Sequence, residues 1–306
     1  MNTTSETLIE SSSANKTLLA YLALIAAIFC IGWSAIFVRW TDIPGSVSAF
    51  YRMLIPAVIL LPTFFTRKDV KPLSRRSLGI IALGGIFFAG DLALYNSSIL
   101  RTTAANATLL GNNSPIFVGL LTWMVFRRRP QASFWIGLLM AVSGSLVILR
   151  SDLLRHTQFG LGDAMAVGAA AFFAMYLLAT EEVRTTTGTL QFLRLAMIST
   201  TVALFLLNLA LGNSFRVCNA RTWGALVGLG LISQLAGYMA LTYALGHLPA
   251  TVTSVSLLTQ GPLTAALAAV LLREPLSAAQ IVGGILVLVG VGVAHRQKHP
   301  EEEANV

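Results

Sequence analysis

Ten apolar runs separated by short polar gaps constrain this chain more than anything else in it. They cover residues 18–38, 46–65, 78–98, 103–126, 132–149, 161–180, 190–211, 223–245, 250–272 and 277–294. A run of about 20 apolar residues is the length that crosses a hydrocarbon core as a helix. Only 11% of the residues are charged and 55% are hydrophobic, against about 25% charged in a soluble domain. Such a chain cannot cover a water-facing surface. In lipid the backbone has to satisfy its own hydrogen bonds, so each run is expected to be helical. The runs are continuously apolar rather than alternating, which excludes a strand barrel. The fold class expected is all-α integral membrane, with ten transmembrane helices.

The net charge of +8 does not point to nucleic acid, because the basic residues lie in the gaps and not on one face. With the N-terminus placed inside, twelve Lys and Arg fall in inner segments: Lys16, Arg67, Lys68, Lys71, Arg75, Arg76, Arg127, Arg128, Arg129, Arg184, Arg296 and Lys298. Seven fall outside: Arg39, Arg101, Arg150, Arg155, Arg216, Arg221 and Arg273. That bias predicts both termini on the cytoplasmic side of the cytoplasmic (inner) membrane. No apolar stretch precedes Leu18, and the first run is long enough to span, so a cleaved signal peptide is not expected. Two cysteines, Cys30 and Cys218, imply no disulfide framework. The four histidines lack metal-ligand spacing, and no cofactor is expected.

The stretch Ala89–Pro115 has an echo 147 positions later, at Ala236–Pro262. Ala89, Gly90, Ala93, Leu94, Leu110 and Pro115 match Ala236, Gly237, Ala240, Leu241, Leu257 and Pro262. Phe50-Tyr51-Arg52 likewise opens helix 2, as Phe192-Leu193-Arg194 opens helix 7, and Gly137 in helix 5 aligns with Gly284 in helix 10. Matched features keep their order, which favours a true repeat. Five helices per half invert one half relative to the other, an architecture of many secondary transporters. The chain therefore divides into a cytoplasmic tail over 1–17, a first repeat over 18–149 (helices 1–5), a second over 161–294 (helices 6–10) and a cytoplasmic tail over 295–306.

These residues carry a family resemblance. Trp33 late in helix 1, Phe50-Tyr51-Arg52, the helix–turn–helix from Leu94 to Pro115, and above all Leu241–Glu274 with its proline-alanine turn, mid-helix proline and closing acid resemble the drug/metabolite transporter superfamily. The match is to ten-helix transporters built from two EamA-type repeats, over about residues 17 to 295. The first repeat departs from the pattern: Arg127-Arg128-Arg129 stands where an acid usually closes it, leaving Glu274 alone in that place. The resemblance implies a cavity lined by helices 1–4 and 6–9, with helices 5 and 10 packed outside it. The glycines of helix 10 (Gly284, Gly290, Gly292) suit close packing, within one protomer or in a homodimer.

Asp91 and Arg52 are the residues expected to carry chemistry. Each lies six or seven positions from the outer end of its helix, about 10 Å deep at 1.5 Å per residue. A charge there costs about 2.5–3.5 kcal/mol or more facing lipid, so both should face the interior within reach of each other. They would form a substrate site or an ion pair locking helices 2 and 3. Asn112 and Asn113 precede Pro115 as Thr259 and Gln260 precede Pro262. Proline displaces the carbonyl four residues back, so the carbonyls of Gly111 and Leu258 are expected to be freed at mid-membrane. Asn113 and Gln260 are read as lining the cavity and Asn112 less so; helix-to-helix glue is the other use of such amides. Trp33, Tyr95 and Tyr238 are candidate wall residues. Trp40 and Trp223 read as interfacial belt, Arg194 as reaching the cytoplasmic surface, Glu181 and Glu182 as solvated.

The expected function is a secondary transporter, an exporter, moving a small organic metabolite such as an amino acid by alternating access. Its partners are that small-molecule substrate and the lipid bilayer. An acid facing a base suits a zwitterion; Arg52 alone suits carboxylated or sulfonated metabolites. No Walker A pattern is present, so ATP does not drive it directly. The alternatives left open are an integral-membrane enzyme and a non-transporting receptor.

Overall fold

The structure, a computed structural model, describes residues 3–63, 73–99, 101–102, 107, 110–148, 160–263, 266 and 277–295. Glu274 and the basic residues Arg67, Lys68, Lys71, Arg296 and Lys298 lie outside them. Each of the ten apolar runs carries helix, and they are numbered here as spans. Span 1 is Thr3–Gly32 and Ser34–Arg39, interrupted at Trp33; span 2 is Gly45–Leu60 and span 3 is Arg75–Ile99. Span 4 has its second half at Ser114–Met124, span 5 is Ala132–Ile148, span 6 is Leu161–Arg184 and span 7 is Thr189–Ala210. Span 8 runs as α-helix over Ala220–Gly228, π-helix over Leu229–Ala236 and α-helix again over Gly237–Ala244. Span 9 includes Ala250–Leu257, and span 10 is Ala278–Ala294. The first helix thus begins within the polar N-terminus, at Thr3.

Among the described residues, five helices are long and apolar enough to cross a membrane unaided, in spans 1, 3, 6, 7 and 8. Their outward faces are apolar. Along span 1, Leu18, Leu22, Ile25 and Phe29 are exposed while Ala20, Leu24, Ala27 and Ile31 are buried. The 3.6-residue period puts one set on lipid and the other on the bundle.

Packing follows the repeat. Span 1 packs on span 8, 2 on 7, 3 on 6, 4 on 9 and 5 on 10. Replacing every span by its counterpart five places along turns this set of pairs into itself, as a pseudo-two-fold axis requires. The 3–6 pair is fixed at one end by Asp163. Its carboxylate accepts Thr102 Oγ1–H at 2.6 Å and the Gly160 N–H at 2.8 Å, at a helix N-terminus where negative charge is favoured. A Cβ on Gly162 would lie 2.7 Å from the Arg101 carbonyl carbon, so only glycine lets this helix start touch the end of span 3.

Spans 5 and 10 cross backbone to backbone. A Cβ on Gly144 would lie 2.5 Å from the Gly283 carbonyl oxygen, and one on Gly290 would lie 2.6 Å from that of Gly137. Small residues allow this approach, where dispersion and weak Cα–H···O contacts replace the missing hydrophobic force. The glycines noticed in the sequence divide in use: Gly290 lies in this crossing, Gly284 faces Pro262, and Gly292 meets nothing within 4 Å.

Arg194 is placed differently from its expected surface position. It is buried, and its Nη1 donates to the Thr63 carbonyl at 2.7 Å. A guanidinium next to an exposed helix end gains more from those last carbonyls than from snorkelling past them. Glu182 meets Arg76 at 3.3 Å on the surface, while Glu181 accepts the Ala250 N–H at the start of span 9.

The crossing of spans 5 and 10 gives a direct test. Gly144→Val forces the helices apart and is expected to lower stability by about 1–3 kcal/mol, as overpacking does. Gly292→Ala, into open space, is expected to stay within about 0.5 kcal/mol of the parent. Thermal melting of detergent-purified protein, read by size-exclusion chromatography, compares them.

Candidate functional site

The site is built where two helices break. In span 4 the chain turns at Asn112-Asn113 and a new helix starts at Ser114, with Pro115 in its first turn. Proline is tolerated there, since its missing N–H would be unpaired anyway. Span 9 repeats this: helix to Leu257, a turn at Leu258-Thr259, then helix again at 260–263. The two breaks are 146 positions apart, one residue off the 147-position echo, and the repeat sets a pair of discontinuous helices face to face at mid-bundle. The carbonyl of Leu258, expected to be left free, accepts the Gly261 N–H at 3.2 Å. The break tightens into a turn and does not leave an open ladder.

Between the breaks lies a cavity of about 120 Å³, walled by Arg52, Asp91, Tyr95, Asn112, Tyr238 and Gln260, with Ser34, Ser114 and Phe173 among the other lining residues. Arg52 is seven residues into span 2 and Asp91 eight residues before the end of span 3. At 1.5 Å per residue both lie about 10–12 Å from the face opposite the Arg127–Arg129 turn. The latter face is called the basic face below. Sequence positions that the repeat makes equivalent, Asp91 and Tyr238, thus meet across one cavity.

Arg52 is held from three sides. Its Nε donates to Gln234 Oε1 at 2.8 Å in a buried bond. Its Cζ sits 5.8 Å from the centre of the Tyr238 ring, within cation–π range. Asp91 acts on it electrostatically across the cavity. Asp91 itself makes no hydrogen bond or ion pair with the described residues. A carboxylate and a guanidinium therefore share a cavity without closing on each other.

A layer of aromatic rings lies between the cavity and the basic face. Phe88 stacks on Tyr176 at 4.5 Å and 15°, and lies 4.9 Å from Tyr238, with Phe173 6.1 Å from Tyr176. Tyr176 is eight residues before Arg184, where span 6 ends, so this layer lies about 12 Å from the basic face. Below it the buried Arg184 donates to the carbonyls of Thr242 and Thr187, tying spans 6 and 8 together.

Six of the eight candidate residues read from the sequence are brought together: Asp91, Arg52, Asn112, Gln260, Tyr95 and Tyr238. Two are not lining residues. Trp33 sits at the interruption of span 1 and packs between Phe29 and Phe37, and its neighbour Ser34 lines the cavity in its place. Asn113 stands at the N-cap position of the second half of span 4, without a side-chain capping bond, and its neighbour Asn112 takes the wall position. Sequence reading missed Gln234, Ser34, Ser114 and Phe173. A lone glutamine inside the eighth apolar run was a visible signal for the first of these.

This geometry leads to a labelling test. With Cys30 and Cys218 replaced by alanine, a cysteine at Asn112 or Gln260 is expected to react readily with a small water-soluble thiol reagent. A cysteine at the fully buried Thr253 is expected to stay unreacted on the same timescale. Equal protection at all three positions would remove the cavity as a solute path.

Residues 18–150 and 160–295 each match the EamA-like transporter family. The chain is 28% identical over 260 residues to the pseudopaline exporter CntI of Pseudomonas aeruginosa, covering 84% of this chain and 88% of that one. It is 27% identical over 274 residues to YwfM, an uncharacterized transporter of Bacillus subtilis, covering 86% and 89%. It is 24% identical over 255 residues to YhbE, an uncharacterized inner membrane transporter of Escherichia coli, covering 78% and 77%. A solved crystal structure superposes with a TM-score of 0.75 at 19% identity, over 92% of this chain and 96% of the other, which shows the shared fold.

Proposed function

The chain belongs to the EamA-like transporter family, and on that premise we propose that it exports a small organic metabolite bearing both charges, an amino acid or related solute, by alternating access. The observation that carries this reading is a carboxylate and a guanidinium facing one cavity with neither closed on the other. Asp91 would take the ammonium group of the solute and Arg52 its carboxylate. Asn112 and Gln260 add amide donors and acceptors at the helix breaks, and Tyr95, Tyr238 and Phe173 add ring faces for the apolar remainder. At about 120 Å³ the cavity is smaller than a cavity of about 150 Å³ that holds benzene, which fits a partly closed state.

The aromatic layer and the Arg184 and Arg194 contacts lie on the basic side of the cavity, so this conformation is the one closed toward that side. We place the basic face in the cytoplasm and both termini with it, in the cytoplasmic membrane, on the Lys and Arg bias. The inner-membrane designation of YhbE and the name of the exporter CntI support membrane and direction. Exchange or proton antiport would drive the cycle; Asp91 is the acid that lines the cavity. The exposed apolar faces of spans 5 and 10, with Ile136, Leu139, Ile285 and Leu288, meet lipid or a second copy of the chain.

Proteoliposomes loaded with unlabelled amino acids and given a labelled panel outside are expected to show saturable counterflow. A charge-assisted hydrogen bond is worth about 1.5–3 kcal/mol. Asp91→Asn should therefore cut counterflow roughly 10- to 100-fold with insertion unchanged. Near-normal flux in that variant would take Asp91 out of the site. Single cysteines in the Arg127–Arg129 turn are expected to resist impermeant reagents applied to whole cells and to react after permeabilisation. The reverse pattern would invert the topology.

A further inference from the structure

We propose that Gln234 is a positioning residue for Arg52: it fixes the guanidinium so that the two terminal nitrogens present a fork to an oxyanion of the solute, a carboxylate or related group. This rests on the reading of the cavity as the solute site.

Three observations carry it. First, the bond uses Nε and only Nε. Gln234 Oε1 accepts from it at 2.8 Å, while the terminal nitrogens make no hydrogen bond with the described residues and are not sealed from the cavity that Arg52 lines. Fixing Nε leaves the outer edge of the plane, Nη1 and Nη2, as a pair of parallel donors matched to a two-oxygen acceptor. Second, the acceptor is neutral. A carboxylate in that place would hold Arg52 equally well and would cancel its charge; an amide oxygen directs the group and leaves the charge for a ligand. Third, the backbone around Gln234 departs from the α-helix to put it there. Leu229–Ala236 is π-helical. An inserted π-turn adds a residue and rotates the rest of the helix by about 100°, so it sets the facing of both Gln234 and Tyr238. Glycines fit this wider segment against its neighbours: a Cβ on Gly230 would lie 2.9 Å from Ile55 of span 2, and one on Gly237 would lie 2.8 Å from Ile31 of span 1.

The arrangement also explains why Arg52 and Asp91 stay apart. An arginine free to turn would pair with the cavity's own carboxylate, since a buried charge without a partner is costly. The Gln234 bond and the Tyr238 ring together keep it from doing so. The site is thereby left with an acid and a base that are not spent on each other.

Two variants separate geometry from charge. Gln234→Glu keeps an acceptor on Nε and neutralises Arg52; Gln234→Leu keeps the charge and releases the side chain. In counterflow with the amino acid that the parent exchanges best, Gln234→Glu is expected to raise KM roughly tenfold or more with kcat little changed. Exchange of the matching amino acid amide, which lacks the carboxylate, should be affected far less. Gln234→Leu should raise KM as well. Parent-like KM values in both variants would overturn the proposal while leaving the transport function intact.

A second measurement does not depend on the solute and decides the case if the parent exchanges no member of the panel. Phenylglyoxal, which attacks the terminal nitrogens of arginine, is applied to the purified transporter, and the Arg52 peptide is followed by mass spectrometry. Gln234→Leu should slow modification as Arg52 closes on Asp91, and Gln234→Leu with Asp91→Asn should restore it. An unchanged rate in Gln234→Leu would refute the positioning role.

Discussion

One guanidinium about 10 Å inside a low-dielectric slab organises the centre of this molecule. Arg52 cannot face lipid, where a charge costs several kcal/mol, and it cannot be buried bare. Its partners come from other helices: Gln234 and Tyr238 from span 8 and Asp91 from span 3. Spans 2, 3 and 8 therefore meet at this point, and the cavity is the space their polar groups cannot close. The contacts that flank it, Asn96 Nδ2–H to the Gly45 carbonyl at 2.7 Å and Asn208 Nδ2–H to the Ser46 carbonyl at 3.0 Å, tie the start of span 2 to spans 3 and 7. They set the position from which Arg52 reaches inward.

The repeat supplies the frame and its violation supplies the chemistry. Corresponding spans share their outline: broken helices at Asn112-Asn113 and, one residue out of register, at Leu258-Thr259, and pairs of spans that interchange under the pseudo-two-fold. Equivalent positions carry different side chains. Asp91 answers to Tyr238. The arginines of the matched openings of spans 2 and 7 are used differently: Arg52 lines a cavity, and Arg194 is buried against the Thr63 carbonyl. Inverted halves with an unequal polar lining are the frame on which the proposed alternating access rests.

Much of this was legible in the sequence. The ten runs, the repeat, the helix breaks ahead of the two prolines, and the convergence of Asp91, Arg52, Gln260, Tyr95 and Tyr238 all follow from spacing, since charge in an apolar run must turn inward. The rest was not legible, for physical reasons. Asn113 was ranked above Asn112 as a wall residue, whereas Asn112 lines the cavity, because a broken helix does not keep the 100° step that the ranking assumed. Trp33 was expected in the wall, and its neighbour Ser34 lines the cavity instead, because consecutive helical residues point about 100° apart and nothing in the sequence fixes that rotation. Arg194 was expected at the surface, because nothing in the sequence shows that the carbonyl of Thr63 ends beside it.

Sequence alone determined the class of molecule: continuous hydrophobicity leaves a helical membrane bundle as the way to satisfy the backbone, and the 147-residue echo makes that bundle double. Tertiary structure decided the site. Whether a polar side chain inside a span faces a cavity, a carbonyl or another helix depends on rotations of a few tens of degrees, and those come from packing. The π-helical turn in span 8 is the clearest case. No residue in Leu229–Ala236 announces it, yet it turns Gln234 onto Arg52, and with that sets what the cavity can recognise.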